Sequence, residues 1–280
     1  MRLITLIKKT ENGDVHAPNE LGVAYEYGEK GLQKNKEEAF HWFMQAVKQG
    51  FALAQYNVGI YYHSVQQNYE EAFKWYKKAA RKGHNGAIYN LGVMYHEGLW
   101  VKKNSRVAFR YFLKAAQSGC VDAQNAVGFS YFNKWGVKQD YAKAFEWCLL
   151  AAKGGMAASQ SKLGQMYEKG YGVEKNAVQS LHWFLKAARL GNADAMFAVG
   201  FYYNGFGRVK RINYQKVVQW YIKSFETDGR QETAQLIGIL YEKGRPKLKP
   251  DLKEAEKWYE VAKNEKALER VRAKMTEINI

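Results

Sequence analysis

A short motif recurs seven times along this chain of 280 residues and constrains its fold more than any other feature. Each copy is an aliphatic residue and a glycine, with a tyrosine four positions after the aliphatic residue, a spacing that places both side chains on one face of an α-helix. Consecutive copies lie 33 to 38 residues apart, a period typical of architectures in which stacked repeats bury one continuous core. The motif begins at Leu21, Val58, Leu91, Val127, Leu163, Val199 and Ile237.

A second marker in each period predicts a second helix. It is an aromatic residue flanked by alanine and other small residues at helical spacing, and we expect its ring to be the knob that packs against the glycine-bearing helix. Seven positions before each aromatic stands an asparagine or aspartate, both preferred helix N-caps. Eight positions after five of them stands a glycine suited to a left-handed C-cap. The aromatics are Trp42, Trp75, Tyr111, Trp147, Trp183, Trp220 and Trp258.

These signals predict an all-α solenoid of about seven helix–turn–helix repeats. In each repeat the first helix, helix A, carries the glycine motif, and a glycine-bearing loop leads to the second helix, helix B. We expect an N-terminal cap or degenerate half-repeat at residues 1–14 and a C-terminal capping helix at residues 266–280, since a solenoid must cover its terminal apolar faces. The repeats are expected at about residues 15–50, 51–83, 84–119, 120–155, 156–191, 192–229 and 230–265.

The recurrent pattern resembles the Sel-1-like repeat, a longer-looped branch of the tetratricopeptide superfamily. The first half of that repeat, Ala-x-x-x-Leu-Gly-x-x-Tyr, is clearest from Ala87 to Gly98, and its second half, Trp-Phe-x-Lys-Ala-Ala-x-x-Gly, from Trp183 to Gly191. The resemblance covers roughly residues 15–265. It implies a right-handed superhelix whose A helices line the concave face, and a non-enzymatic role as an adaptor or scaffold that binds a protein or peptide.

The chain lacks the sequence patterns of common catalytic sites. No HExxH, GxxxxGK[ST] or GxSxG motif occurs, and no strand precedes the glycines at Gly170 and Gly172, which we interpret as part of an inter-helix loop. Two cysteines are too few for a disulfide framework. Cys148, next to Trp147 in a predicted helix, is expected to be a small buried residue. The sequence therefore predicts no enzyme activity and no cofactor.

Two histidines occupy the same position in adjacent repeats, His63 in the second and His96 in the third. Stacked repeats would place them side by side, an arrangement suited to a metal ion or an acidic ligand. The alternative is that both are polar residues on the exposed side of helix A. We favour the second interpretation, and predict no metal site.

Two variable rows of helix A are candidates for a partner-binding surface. One row lies three residues before the motif glycine and the other four residues after it, and both vary while the framework positions recur. Such rows suit an extended peptide or a protein loop, and ordinary packing between repeats explains them equally well. The candidate partner-binding residues are Tyr56, His63, Tyr89, His96, Asn125, Phe132 and Phe197.

The formal net charge is +16, and the excess of lysine and arginine lies beyond residue 80. Such an excess suits an acidic partner or nucleic acid. For nucleic acid, the loop aromatics Trp100, Trp135, Tyr171 and Phe206 would be the stacking platforms. The alternative is that the charge simply keeps a long solenoid soluble.

No apolar run approaches the roughly 20 residues of a membrane span. Because no signal peptide is recognisable, an intracellular protein is favoured. The oligomeric state is not determined by the sequence.

Overall fold

The computed structural model describes residues 3–208, 213–245 and 247–278. Over these ranges the secondary structure is helical, apart from one isolated antiparallel bridge between Arg245 and Leu248. The chain divides into two compact units, Met1–Gln139 and Asp140–Ile280, hereafter the first and the second unit. The predicted all-α fold is confirmed.

The first unit consists of eight helices within its described residues. Helices α2, α4, α6 and α8 carry the glycine motif and are A helices, whereas α3, α5 and α7 are B helices. Helix α1 precedes them and packs through the buried Leu6 against Ala17 and Leu21 of α2. The helices are α1 (Leu3–Glu11), α2 (Ala17–Tyr27), α3 (Lys36–Lys48), α4 (Ala52–Ser64), α5 (Tyr69–Arg81), α6 (Asn85–Glu97), α7 (Ser105–Gln117) and α8 (Val121–Asn133).

The described part of the second unit contains eight further α-helices and a short 3₁₀ helix. Helices α10, α12 and α14 are A helices, and α9, α11, α13 and α15 are B helices. The last helix, α16, packs through Ala267 and Val271 against Tyr259 of α15. That α1 and α16 act as terminal caps stays a prediction. The elements are α9 (Tyr141–Lys153), α10 (Ala157–Lys169), α11 (Ala177–Arg189), α12 (Ala193–Tyr203), the 3₁₀ helix (Phe206–Arg208), α13 (Tyr214–Asp228), α14 (Gln231–Lys243), α15 (Leu252–Val261) and α16 (Glu265–Glu277).

Every B helix begins at the asparagine or aspartate that the sequence predicts. In each case the side-chain oxygen accepts a hydrogen bond from a backbone N–H of the first turn, a group that otherwise lacks a partner in a helix. The five glycines expected after the B helices also adopt the left-handed conformation, with φ between +76° and +89°. Both predictions are confirmed. The N-caps are Asn35, Asn68, Asn104, Asp140, Asn176, Asn213 and Asp251.

One of these caps allows a direct test. Asn176 Oδ1 accepts from the backbone N–H of Gln179 at 3.0 Å. Replacing Asn176 by alanine is expected to lower the free energy of unfolding by about 1 kcal/mol, because that N–H loses its acceptor. The urea unfolding midpoint measures the change. Asn176→Ser is the control, since it retains an acceptor, and equal losses in the two variants would contradict the capping role.

The ring that packs on the motif glycine is not the one that the sequence predicts. It belongs to the residue directly after the marker aromatic. A Cβ atom added to Gly59 would lie 2.6 Å from the ring of Tyr76, and one added to Gly92 would lie 2.6 Å from Phe112. Glycine is needed because a buried ring occupies the space of any side chain there. Six of these rings are Phe43, Tyr76, Phe112, Phe184, Tyr221 and Tyr259.

The marker tryptophans have a different role. Each lies half-buried on helix B, and in three repeats a lysine three residues later places its ammonium group over the indole. The distances to the ring centroid are 3.8 Å for Lys78 over Trp75 and 4.6 Å for Lys186 over Trp183. These are cation–π contacts. In the fourth repeat Cys148 takes the position after the marker, and it is fully buried, as predicted.

Candidate partner-binding surfaces

Three of the candidate aromatics pack against the rings that cover the motif glycines. Ring centroids lie 6.0 Å apart for Tyr56 and Tyr76, and 5.6 Å apart for Tyr89 and Phe112. In the second unit Phe197 stacks on Tyr221 at 5.0 Å. All three side chains are half-buried. One part of each ring therefore stabilises its own repeat, and the remainder is accessible to a partner.

Polar side chains accompany the two tyrosines of the first unit. Asn57 Nδ2 donates to Asn19 Oδ1 at 3.0 Å, which joins α4 to α2. Asn90 on α6 lies beside the hydroxyl group of Tyr56. Burial raises the pKa values of Tyr56 and Tyr89, so both phenols stay protonated at neutral pH. We name Tyr56, Asn57, Tyr89 and Asn90, which are half-buried, the A-helix surface; Asn19 is buried beneath it.

The amides of the A-helix surface were not among the predicted site residues. Asn57 and Asn90 stand one position before the motif aliphatic of the second and third repeats. The sequence therefore contained a signal for these two residues, because asparagine recurs at one position of helix A whose neighbours are packing residues. Its meaning depends on the neighbouring helix, which brings Asn19 within hydrogen-bonding distance of Asn57.

The two histidines contact different side chains. His63 lies edge-on to Tyr69, with ring centroids 5.3 Å apart, and burial lowers its pKa. His96 lies 5.0 Å from the ring of Trp135, and its Nε2 atom is 3.7 Å from Oε1 of Glu97. Both are half-buried, and their place on the exposed side of helix A stays a prediction. The described residues contain no cluster of three or more metal-ligating side chains.

The remaining candidates, Asn125 and Phe132, lie half-buried on α8. The backbone carbonyl of Phe132 accepts from Nε2 of Gln139 at 2.7 Å, a contact that holds the loop after α8. Six of the seven candidates therefore belong to the first unit, and Phe197 belongs to the second.

The last member of the second variable row, Glu242, is a structural residue. Its carboxylate accepts hydrogen bonds from Arg270 at 2.9 and 2.6 Å, from Lys274 at 2.7 Å and from the hydroxyl of Tyr259 at 2.8 Å. The Arg270 guanidinium, with Lys274 and Tyr259, lowers the Glu242 pKa to about 2. Because this network ties α16 to α14 and α15, the row is not a binding surface along its whole length.

A basic cleft of about 800 Å³ lies elsewhere in the first unit. Arg106 and Arg110 of α7 line one side, and Lys134 and Lys138 of the loop after α8 line the other. Gly136 holds that loop against the backbone of α7. The four basic side chains are exposed, and among the described residues none has a carboxylate partner. The sequence could not reveal the cleft, because its two sides are more than twenty residues apart.

The stacked A and B helices define an all-α repeat protein of the solenoid class. The sequence profile of the Sel1 repeat matches most of the chain, and the chain belongs to the Sel1 repeat family. The predicted resemblance is confirmed. The matched segments are residues 16–51, 52–84, 86–120, 121–156, 157–192, 193–226 and 234–265.

Solved structures support the same family. A Sel1 repeat protein from Oxalobacter formigenes is 31% identical, with a TM-score of 0.75 over 89% of this chain and 98% of that one. The protective antigen c5321 of uropathogenic Escherichia coli, which has the same repeat fold, is also 31% identical, with a TM-score of 0.62 over 99% of this chain and 68% of that one. Among proteins with curated descriptions, none matches this sequence.

A more distant structure shares the fold alone. The C-terminal part of a TPR repeat-containing protein from Cytophaga hutchinsonii is 16% identical, with a TM-score of 0.51 over 91% of this chain and 98% of that one. The Sel1 repeat fold is typically a non-catalytic scaffold, commonly used for protein interaction. Among the described residues, none of the helices combines the length and the hydrophobicity of a membrane span.

Proposed function

We propose that this protein is a non-enzymatic scaffold or adaptor that binds an extended peptide or a protein loop along the A-helix surface. The observation that carries the proposal is the alternation of accessible tyrosines and side-chain amides on neighbouring A helices of the first unit. Tyr56 and Tyr89 hold the same position in successive repeats, and so do Asn57 and Asn90. A partner that runs across the helices would meet the same pair of groups twice.

Both residue types suit a peptide. An asparagine amide offers a donor and an acceptor, which match the carbonyl and N–H of a peptide backbone. The bond to the buried Asn19 uses the Nδ2 group of Asn57 and leaves its Oδ1 atom as an acceptor for a ligand. A tyrosine gives a large contact area at a low cost in conformational entropy, because it has few rotatable bonds. Tyr56 is further restrained by stacking on His84, with ring centroids 4.4 Å apart.

The buried cysteine also favours a non-catalytic role. Burial raises the pKa of the Cys148 thiol to about 12. A nucleophilic cysteine needs the opposite shift, since the thiolate is the reactive form. Cys148 is therefore a packing residue of α9.

A pull-down comparison tests the proposal. The immobilised full chain and its Asn57→Ala/Asn90→Ala variant are incubated with the same lysate, and the captured proteins are compared by mass spectrometry. The affinity of the main captured partner is then measured with purified protein. We expect the variant to bind about thirtyfold more weakly, because the two lost hydrogen bonds contribute about 1 kcal/mol each.

The matched control removes two exposed amides away from the A-helix surface, Asn12→Ala and Asn133→Ala. Thermal unfolding verifies that both double variants are folded. If the Asn57→Ala/Asn90→Ala variant binds the partner as tightly as the unaltered chain does, the A-helix surface is not the binding site.

A further inference from the structure

We infer that the basic cleft of the first unit binds an acidic segment of a protein partner through its carboxylates. This site is separate from the A-helix surface and goes beyond the function proposed above. Arg106 and Arg110 are one helical turn apart, so their guanidinium groups project from the same face of α7. Lys134 and Lys138 face them from the loop after α8.

The loop that carries the two lysines is held in place. Gly136 has a φ of +71°, and a Cβ atom there would overlap the backbone of Ser105 and approach Arg106 N to 2.7 Å. Contact this close requires glycine. Backbone packing at the start of α7 therefore places the backbone of the loop that carries the lysines.

The charges of the cleft are uncompensated, unlike those of Lys74 and Lys78 in the same unit. Lys74 lies 2.9 Å from Glu70 and 2.8 Å from Glu71, and Lys78 lies over the ring of Trp75. The cleft, in contrast, is lined by four cations and no carboxylate. Solubility is served by charges of both signs spread over a surface. A concave site of one sign instead attracts an oppositely charged ligand, which favours a binding role over the solubility alternative.

The lining of the cleft favours an acidic protein segment over single-stranded nucleic acid, because none of its described residues is aromatic. Sequence-tolerant binding of a strand relies on aromatic rings that stack with its bases. Each loop aromatic that the sequence predicts as a platform contacts another ring of its own unit on one side, and Trp100 and Trp135 keep an exposed face outside the cleft. The pairs are Trp100 with Phe73 at 5.3 Å, Trp135 with His96 at 5.0 Å, Tyr171 with Tyr141 at 4.8 Å and Phe206 with Phe201 at 5.1 Å.

The guanidinium groups fit carboxylates. An arginine binds a carboxylate through two parallel N–H···O bonds, which gives the contact direction as well as charge. Two arginines one turn apart are separated by about 6 Å. Alternate side chains of an extended peptide, which point to the same face, are separated by a similar distance, about 7 Å. An acidic segment in extended form can therefore place carboxylates on both arginines at once.

Fluorescence anisotropy tests the inference with two probes, a fluorescein-labelled octaglutamate peptide and a fluorescein-labelled octathymidylate. Both are titrated with the full chain at about 150 mM salt, where long-range attraction is screened. We expect the peptide to bind more tightly than the oligonucleotide. The Arg106→Gln/Arg110→Gln variant should bind the peptide about tenfold more weakly, because both bidentate contacts are lost.

Two control variants separate the cleft from net charge. Lys8→Gln/Arg81→Gln removes two exposed charges of the first unit outside the cleft, and should change the affinity by less than about twofold. Arg106→Lys/Arg110→Lys keeps the charge and removes the guanidinium geometry, so an intermediate loss is expected. Equal weakening in the two glutamine variants, no binding of the peptide, or tighter binding of the octathymidylate would each overturn the inference. Asn57→Ala/Asn90→Ala should bind the peptide normally, which keeps this test independent of the A-helix surface.

Discussion

Replacing Gly172 by alanine is expected to destabilise the second unit by about 3 kcal/mol. Gly172 has a φ of +69°, which costs an alanine about 1 kcal/mol. The added Cβ atom would also overlap the backbone carbonyl of Tyr141 and lie 2.7 Å from the backbone nitrogen of Ala142. Backbone in the first turn of α9 cannot move aside as a flexible side chain can, and overpacking of this kind costs a further 1–3 kcal/mol, roughly.

Gly155 is the matched control for Gly172. Its φ is +89°, and no atom lies within 4 Å of an added Cβ. Gly155→Ala should therefore lose only the cost of the left-handed conformation, about 1 kcal/mol. Urea unfolding of both variants gives the comparison. Equal losses would show that docking of the loop on α9 does not contribute to stability.

The second large effect is expected at Glu242. Glu242→Gln should lower the free energy of unfolding by about 2 kcal/mol at pH 7, because the side chain is only 3% exposed and the amide removes the charge that Arg270 and Lys274 face. Both cations are about half-exposed, so water compensates for part of the loss. The variant should release α16 first, since the network joins α16 to α14 and α15. Hydrogen exchange of the α16 amides detects that release.

The same carboxylate predicts a pH dependence. The folded state lowers the pKa of Glu242 from its usual value of 4.5 to about 2. The ionised group therefore stabilises the protein fully above pH 4.5, and this contribution is lost as the pH falls from 4.5 towards 2. The difference in unfolding free energy between the unaltered chain and Glu242→Gln should narrow over that window. Glu29→Gln, at an exposed pair with Lys30, is the surface control for the loss of one carboxylate. A difference that stays constant down to pH 2 would contradict the assignment.

The repeat architecture was predictable because it rests on local signals. Asn176 forms its capping bond within three residues, and the left-handed glycines act through their own backbone. The loops show the limit of such signals. Gly136 and Gly172 lie against the backbone of the preceding B helix. The third repeat has Trp100 at the same loop position, also with a positive φ, of +61°. The residues of a loop do not by themselves predict whether its backbone will pack against the preceding helix.

The packing knob was predicted one residue too early for a related reason. Neighbouring positions on a helix point about 100° apart, and small residues surround both Trp75 and Tyr76. Which ring faces helix A depends on how α5 is rotated against α4, and the contacts of both helices decide that rotation. Once Tyr76 lies on Gly59, Trp75 is left half-buried, beneath the ammonium of Lys78.

The sequence by itself determined the period, the helix starts and the left-handed turns, because each of these depends on residues that are close along the chain. Only the tertiary structure decided which variable side chains remain accessible. His63 and Glu242 share one row of the repeat, yet one packs beside Tyr69 and the other binds Arg270 and Lys274. The four cations of the basic cleft likewise become one site only when α7 meets the loop after α8. The accessibility of a side chain and the clustering of charges depend on contacts between residues that are distant in the chain. The repeat pattern does not predict those contacts.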